Sequence, residues 1–196
     1  MTETKQTFKK GVIDDFLDVI ECLVVAIVAA LFILTFLFRT GYVEGSSMKS
    51  TMEQNDRYIV SNLFYTPATG DIVVFEPDLS ESDRIDNNEK LYVKRVIATE
   101  GQRLQIKKDD NNNYAVYVDG NKLEEDYLDE GQETKPNPYT SLEELDIVIP
   151  EDHFFAMGDN RKISKDSRII GCIDNRRLLG KVLFRFYPFN QIGFVE

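Results

Sequence analysis

The densest group of side chains that could serve a catalytic site lies within residues 158–168 of this 196-residue chain. The segment follows the apolar run Phe154–Met157, which predicts a polar turn at the end of a strand. Its hydroxyl, carboxylate and guanidinium groups could fix the position of a catalytic side chain brought in from elsewhere. A solvated loop with surface ion pairs is the simpler alternative. The groups in question belong to Ser164, Ser167, Asp159, Asp166, Arg161 and Arg168.

Two further segments carry a possible nucleophile and a possible base. The run Gly45–Met52 contains two adjacent serines, Ser46 and Ser47, and the run Tyr92–Ile97 places Lys94 among β-favouring apolar residues. Taken alone, a serine is commonly an ordinary loop residue, and a lysine in a strand commonly occupies its polar face. The pattern is informative because all three segments occur in one chain.

In their order and their spacing from an N-terminal apolar run, the three segments resemble the type I signal peptidases. The resemblance extends from about Val43 to about Tyr187 and includes the strand segment Gly70–Phe75 and the closing pair Gly180-Lys181. It implies a membrane-bound serine endopeptidase that removes N-terminal signal peptides from secreted preproteins and cuts after small residues at positions −3 and −1. No cofactor and no metal are expected. Lysine rather than histidine at the position of the base indicates the bacterial type.

The resemblance also implies a role for each site residue. Ser47 is the expected nucleophile, Lys94 the expected general base, and Ser164 the residue that hydrogen-bonds and orients the lysine amine. The Ser47 backbone N–H is expected to stabilise the oxyanion, because Gly45 stands where some members carry an additional hydroxyl. The supporting polar network is Asp159, Asp166 (paired with Arg168 or Arg95), Arg168 and Arg95.

A lysine can act as a base only when its amine is neutral. Free lysine has a pKa of ~10.4, so holding half of the amines neutral at pH ~7 requires this pKa to fall by about 3.4, equivalent to about 4.6 kcal/mol. Burial can supply a change of that size, and Val93, Val96 and Ile97 are suitable apolar neighbours. Because successive strand residues face opposite ways, Arg95 is predicted to point away from Lys94 and to pair with a carboxylate.

Two positions in the Ser47 segment depart from the family pattern Ser-Met-x-Pro-Thr. Ser50 replaces the usual proline, and Lys49 stands where apolar or neutral residues are commoner. Since proline fixes φ, its loss predicts a less constrained loop around Ser47, with an effect on efficiency or substrate preference.

Composition excludes several other functions. A net charge of −11 argues against nucleic acid as a partner, since phosphate backbones require a basic surface. The single histidine, His153, rules out a multi-histidine zinc site and leaves little room for a Ser-His-Asp triad. Cys22 and Cys172 lie in different regions and are not expected to form a disulfide. The expected partners are secretory preproteins and membrane lipid, and the chain is expected to act as a monomer.

The charge-free run from Cys22 to Phe38 predicts a transmembrane anchor. Its 17 residues would span about 25 Å as a helix, close to the thickness of a bilayer core. A cleaved signal peptide is the alternative, but no small-x-small cleavage site follows Phe38. Lys5, Lys9 and Lys10 favour a cytoplasmic N-terminus, and the resemblance places the catalytic domain outside. The predicted domains are a cytoplasmic segment (1–21), the anchor (22–38) and an extracytoplasmic catalytic β domain (39–196) with an inserted subdomain at about 105–150.

Short β-favouring runs separated by turn residues follow Thr40 and predict a mainly β domain. The expected fold is an antiparallel β-sheet ectodomain of the signal peptidase type with a small β insertion, preceded by a single N-terminal transmembrane helix. Residues 76–90 are predicted to form a polar loop, and the acidic segment 123–145 an exposed insertion. The predicted strands cover 57–60, 71–75, 91–98, 103–106, 114–118, 146–149, 154–157, 171–173 and 181–187.

Other functions are weighed against this one. A peptidase specialised for a narrow substrate class, such as pilins, is compatible with the altered Ser50 segment. A catalytically silent, membrane-anchored binding module would be favoured by the loss of Ser47 or Lys94, and both are present. A self-cleaving repressor-type protease shares the chemistry but would need a DNA-binding domain in place of a membrane helix. The sequence therefore predicts an active peptidase that removes signal peptides.

Overall fold

The computed structural model of the chain describes residues 2–77 and 91–195. The chain divides into two compact units, residues 1–39 and 40–196. The first is helical and the second is built mainly from β-strands. Most of the polar loop predicted at 76–90 lies outside the described residues.

The first unit contains one helix, α1, which spans Thr2–Leu37. Apolar side chains between Phe16 and Phe32 are exposed along it. Within the described residues, no helix is both long enough and apolar enough to cross a membrane. The transmembrane anchor predicted at 22–38 is therefore not confirmed. The segment is helical through Leu37, and the side chains of residues 33, 34 and 36 lie outside the described part.

Short strands make up the rest of the described chain, where β-branched and aromatic residues recur at strand spacing. In chain order they are β1 (Arg39–Tyr42), β2 (Arg57–Ser61), β3 (Ile72–Phe75), β4 (Tyr92–Thr99), β5 (Arg103–Lys108), β6 (Tyr114–Val118), β7 (Asn121–Lys122), β8 (Leu145–Val148), β9 (His153–Met157), β10 (Ile173–Asp174), β11 (Leu178–Tyr187) and β12 (Gly193–Phe194).

These strands form two sheets, and the larger one carries the site described below. Its order within the described residues is β1-β2-β11-β3-β4-β9-β10, and β12 pairs with β11. The pairs from β2 through to β10 are antiparallel. The smaller sheet has the order β7-β6-β5-β8 and is also antiparallel. A mainly β, antiparallel architecture is therefore confirmed.

The predicted strands correspond to strands of the structure, but three short ones were not predicted. β1, β7 and β12 have only two to four residues each, too few to show a clear alternation of apolar and polar positions. The strand predicted at 171–173 begins at Ile173, because a short helix, α2 (Ser167–Ile170), ends at Gly171 with a φ of 82°.

A shared hydrophobic core joins the smaller sheet to β4 and β9. Leu104 and Ile106 alternate along β5, so both face inward, and both are fully buried in the same cluster as Phe155 of β9. The core covers one side of β4, whose six central residues are all buried. It therefore fixes the strand that carries Lys94 and Arg95.

Segment 123–145, between β7 and β8, differs from the exposed insertion that was predicted. Thr134 and Pro136 are buried, and Tyr127 and Gln132 are partly buried. The two prolines and the acidic residues predict exposure because they resemble a linker in composition. In the folded chain the segment packs back onto the loop that follows β9, as its hydrogen bonds described below show.

Candidate active site

Ser47 lies in a tight turn between β1 and β2. Backbone hydrogen bonds from Lys49 N to Ser46 O (3.2 Å) and from Met52 N to Met48 O (2.8 Å) close the turn. Met48 and Met52 are fully buried in the hydrophobic cluster below it. The turn therefore presents the Ser47 side chain from a backbone that is anchored immediately after it.

The Lys94 amine lies beside the Ser47 hydroxyl. Its Nζ donates hydrogen bonds to Ser47 Oγ at 2.8 Å and to the Val93 carbonyl at 3.0 Å. Burial lowers the pKa of Lys94 to about 8, although the negative charges of Asp166 and Asp159 act in the opposite direction. The side chain is only 4% exposed. A substantial fraction of the amines is therefore neutral near pH 8, within hydrogen-bonding distance of a hydroxyl.

Arg95, the next residue of β4, faces the other side of the sheet and holds the loop after β9. Its Nε and Nη2 donate to the two carboxylate oxygens of Asp159 at 3.0 and 2.9 Å, and its Nη1 donates to the Gly70 carbonyl at 2.9 Å. The Thr51 hydroxyl donates to the same carboxylate at 2.5 Å. This buried ion pair therefore joins β4, the Ser47 turn and the loop after β9.

Asp166 pairs with Arg168, the first of the two partners predicted for it. Arg168 Nε and Nη2 donate to the two Asp166 oxygens at 2.9 and 2.8 Å, and both side chains are fully buried. Asp166 also accepts hydrogen bonds from the backbone of Gly158 (3.1 Å) and of Arg168 (3.2 Å), the latter as the N-cap of α2. The carboxylate thereby fixes both ends of the segment predicted to support the site.

Ser164 does not make the hydrogen bond to Lys94 that was predicted for it. Its hydroxyl is fully buried and has no hydrogen-bond partner among the described residues. The amine instead makes hydrogen bonds with Ser47 and the Val93 carbonyl. Ser164 is still close to Ser47: a Cβ built on Gly158 would collide with both the Ser164 hydroxyl and the Ser47 carbonyl oxygen. The Ser164 side chain and the Ser47 backbone therefore leave no space for a side chain at position 158.

Ser50 adopts a backbone conformation that proline cannot. Its φ is 99°, whereas the pyrrolidine ring holds φ near about −65°. The loosening expected from the loss of proline stays a prediction, because φ describes the path of the backbone and not its mobility. At this position the chain follows a different path, which an L-residue adopts only at some cost.

Asn160 holds the backbone of the Ser47 turn from the side of the β9 loop. Its backbone N–H donates to the Ser47 carbonyl at 2.9 Å, and its side-chain amide donates to the Ser46 carbonyl at 3.2 Å. The carbonyl groups of Ser46 and Ser47 therefore hold the turn. The Ser47 N–H, which is expected to stabilise the oxyanion, makes no hydrogen bond with the described residues.

A cavity of about 620 Å³ opens beside Ser47 and Lys94. Val43 and Tyr58 contribute to its wall, and the Tyr58 ring lies so close to Gly41 that a Cβ there would approach it to 2.7 Å. Burial raises the pKa of Tyr58 to about 12, so its hydroxyl stays neutral. Val43 and Tyr58 therefore give the cavity an uncharged part of its wall beside the Ser47–Lys94 pair, while Glu44 and Lys165 also line it.

The sequence matches the family model described as signal peptidase, peptidase S26, over residues 16–187. The chain belongs to this family. It is 36% identical to signal peptidase I of Bacillus licheniformis, over 98% of both chains, and 36% identical to the probable signal peptidase I-1 of a Synechocystis species, over 89% of this chain and 84% of that protein. A crystal structure of a signal peptidase I from Enterococcus faecalis is 22% identical, covers 60% of this chain and 97% of that one, and has a TM-score of 0.43, too low to bear on the fold.

As a member of the signal peptidase family, the chain is a serine endopeptidase that removes signal peptides. The residues singled out from sequence all lie in one region of this peptidase, around the Ser47 turn, β4 and the loop after β9. Sequence reasoning did not single out Asn160 or Gln132. Asn160 stands inside a segment already identified, whereas Gln132 has no motif around it to draw attention.

Proposed function

We propose that Ser47 is the nucleophile and Lys94 the general base of this signal peptidase. The 2.8 Å separation of Lys94 Nζ and Ser47 Oγ is the observation that carries the proposal. A serine hydroxyl attacks an amide carbonyl only when a base takes its proton, and a neutral lysine amine can do so. The same amine, once protonated, can pass the proton to the nitrogen of the leaving peptide.

The reaction then proceeds in two halves. Ser47 Oγ bonds to the scissile carbonyl carbon, the carbonyl oxygen becomes an oxyanion, and the C–N bond breaks as Lys94 delivers its proton to the nitrogen. A water molecule, deprotonated by Lys94, attacks the resulting ester and releases the Ser47 hydroxyl. The Ser47 N–H, which donates to no group among the described residues, is the donor we assign to the oxyanion in both halves.

The supporting residues keep the two reacting groups in place. The Arg95–Asp159 pair connects β4 to the Ser47 turn through Thr51, and the Asp166–Arg168 pair fixes the segment beyond it. We propose that Ser164 orients the Lys94 amine during the reaction. Its hydroxyl is fully buried and has no hydrogen-bond partner among the described residues.

The substrate is proposed to bind as an extended strand along the cavity, with small residues at positions −3 and −1. Val43 and Tyr58 supply a mainly apolar wall, and the close packing of Tyr58 on Gly41 leaves the wall little freedom to retreat. An alternating peptide would direct every second side chain into it. Alanine fits such a surface, whereas phenylalanine would have to displace it.

Residues 22–38 are proposed to anchor the chain in the membrane, with the N-terminus in the cytoplasm and the catalytic domain outside. The support is the charge-free run of 17 residues and the lysines that precede it. An anchor there would keep Ser47 close to the bilayer, where a signal peptide leaves its apolar helix.

Single and double substitutions of the pair test the proposal. Ser47→Ala and Lys94→Ala should each abolish cleavage of a preprotein carrying Ala-x-Ala before the cut, and the double variant should be no worse, because the two groups act as a unit. The matched control is Ser46→Ala, whose side chain is adjacent but absent from the site. Product masses from the full chain in detergent report the result. Cleavage by Ser47→Ala together with inactivity of Ser46→Ala would show that the nucleophile has been misassigned.

A further inference from the structure

Segment 123–145 contributes a side chain to the support of Ser47 that no motif reveals. We propose that Gln132 is a positioning residue of the active site, acting through Asn160 on the backbone of Ser47. The inference rests on the proposed role of Ser47 and adds a residue 85 positions away in the chain. The argument depends on two sets of hydrogen bonds that share the Asp159–Arg161 backbone.

The first set connects Gln132 to the loop after β9. Gln132 Nε2 donates to the Asp159 carbonyl at 2.8 Å, and Gln132 Oε1 accepts from the Arg161 N–H at 3.0 Å. A primary amide offers one donor and one acceptor side by side, so it matches the C=O of one residue and the N–H of the second residue after it. The residue held between these two contacts is Asn160.

The second set connects Asn160 to the nucleophile. The Asn160 N–H donates to the Ser47 carbonyl at 2.9 Å, and its side-chain amide donates to the Ser46 carbonyl at 3.2 Å. Rotation of the peptide plane at Asn160 would move the first donor and tilt the Ser47 peptide. The Ser47 Oγ would then leave its position 2.8 Å from Lys94 Nζ.

Gln132 can act as a fixed support because its own segment is held on both sides. Tyr127, five residues earlier, lies with its ring 3.9 Å from the Arg95 guanidinium carbon. Glu125 pairs with the fully buried Arg161 guanidinium at 2.6 Å, and the Thr134 hydroxyl accepts a hydrogen bond from the same group. The segment is thus attached to both Arg95 and Arg161. The Gln132 amide therefore has little freedom to move with a displaced loop.

Other side chains at position 132 would not replace the amide. Alanine would remove both contacts and leave this backbone held only by the 3.1 Å hydrogen bond from the Arg161 N–H to the Asp159 carbonyl. Glutamate keeps the acceptor for Arg161 N–H but replaces the donor by a carboxylate facing the Asp159 carbonyl. Because the hydrogen bonds of the neutral glutamine side chain are to backbone atoms of these two residues, its replacement by alanine changes geometry and removes no charge from the site.

The test compares Gln132→Ala with Glu133→Ala, an exposed neighbour that makes none of these contacts. With the full chain in detergent and an Ala-x-Ala peptide, Gln132→Ala should lower kcat about tenfold, which corresponds to about 1.4 kcal/mol, at nearly constant KM. Glu133→Ala should match the unmodified enzyme. A purely structural role would lower the melting temperature but leave kcat per folded molecule unchanged at low temperature. Unchanged kcat in Gln132→Ala overturns the proposal.

A double-variant cycle with Asn160→Ala tests the route of the effect. Asn160→Ala removes the amide contact to Ser46 but keeps the N–H that donates to the Ser47 carbonyl. If Gln132 acts through Asn160, the loss of kcat caused by Gln132→Ala should therefore be smaller in the Asn160→Ala background than in the unmodified enzyme. Losses that multiply would show that Gln132 acts elsewhere and overturn the proposed route. If Gln132→Ala does not fold, Gln132→Glu takes its place in the test. The same fall in kcat is expected for it, and an unchanged kcat would refute the proposal. Ser47→Ala separates a failure of this inference from a failure of the proposed function. If Ser47→Ala still cleaves the peptide, the proposed role of Ser47 is wrong whatever Gln132→Ala shows.

Discussion

Replacing Gly158 with alanine should disable the Ser47–Lys94 pair without removing any functional group from it. A Cβ built on Gly158 would approach both the Ser47 carbonyl oxygen and the Ser164 hydroxyl to less than 3.0 Å, and it would lie 2.7 Å from Ser164 Cβ. Ordinary contact begins at 3.4 Å. The neighbours must therefore retreat by roughly 0.7 Å or more to reach ordinary contact, because repulsion rises steeply inside that distance.

The consequence for catalysis follows from which atoms have to move. The Ser164 side chain can rotate, but the Ser47 carbonyl belongs to the backbone of the proposed nucleophile. Overpacking of this kind costs about 1–3 kcal/mol of stability. A misplacement of ~1 Å at reacting groups costs about a hundredfold in rate, so we expect kcat to fall about ten- to a hundredfold while KM changes little. Initial rates on an Ala-x-Ala peptide and a thermal unfolding curve measure the two quantities.

Two further variants test whether steric contact at Gly158 causes the loss of kcat. Gly193→Ala is the matched control, since a Cβ there meets nothing within 4 Å, and it should behave as the unmodified enzyme. Adding Ser164→Ala to Gly158→Ala removes the hydroxyl contact but leaves the Ser47 carbonyl in the way. The melting temperature should therefore recover only in part, and kcat should stay low because the proposed orienting hydroxyl is also lost. Normal kcat in Gly158→Ala would refute the reasoning, and so would complete recovery in the double variant.

Three further perturbations address the base, the buried ion pair and the unusual turn. Burial lowers the pKa of Lys94 to about 8, so kcat/KM should rise as pH increases through about 8 and then level off. A value of kcat/KM that still climbs near pH ~10, where free lysine titrates, would contradict a buried base. Asp159→Asn leaves the Arg95 charge without its buried partner, so stability should fall by about 3–5 kcal/mol. The Asp159 charge acts to raise the pKa of Lys94, so its loss in Asp159→Asn should move the rising limb of the pH profile to lower pH. An unchanged pH profile would show that this charge does not affect the pKa of the amine. Ser50→Pro restores the family residue, but proline cannot adopt a φ of 99°. The substitution should therefore lower both activity and melting temperature. Higher activity in Ser50→Pro would mean that the backbone of the turn differs from the one described.

The strands could be predicted because their signal is local. β4 shows how far this extends: alternation along the run Tyr92–Ile97 correctly places Lys94 and Arg95 on opposite faces, one beside Ser47 and the other beside Asp159. The pairing of Asp166 with Arg168 lies within three residues and was among the expected alternatives. The two-residue strands β7 and β12 were missed because so short a run has no period to detect.

The parts that escaped prediction depend on contacts between distant residues. Segment 123–145 has the composition of an exposed linker, yet Tyr127 packs on Arg95 and Gln132 binds the loop after β9. Nothing in the local sequence encodes either partner. The φ of Ser50 likewise follows from how the turn fits between Met48 and Met52, both fully buried. The Ser164 hydroxyl has no partner among the described residues, a detail of side-chain placement that residue types do not specify.

With Lys94 as the proposed base, its burial in the middle of β4 makes proteolytic competence a product of folding. In an unfolded chain this lysine is in water, where a pKa of ~10.4 keeps it protonated at neutral pH and unable to accept a proton. Ser47 lies 47 residues from it and Asp159 lies 64 residues from Arg95, so the site forms only after slow, non-local strand pairing. A newly made chain is therefore harmless to its neighbours until β3, β4 and β9 have assembled. The same coupling makes loss of activity an early sign of any change that admits water to β4.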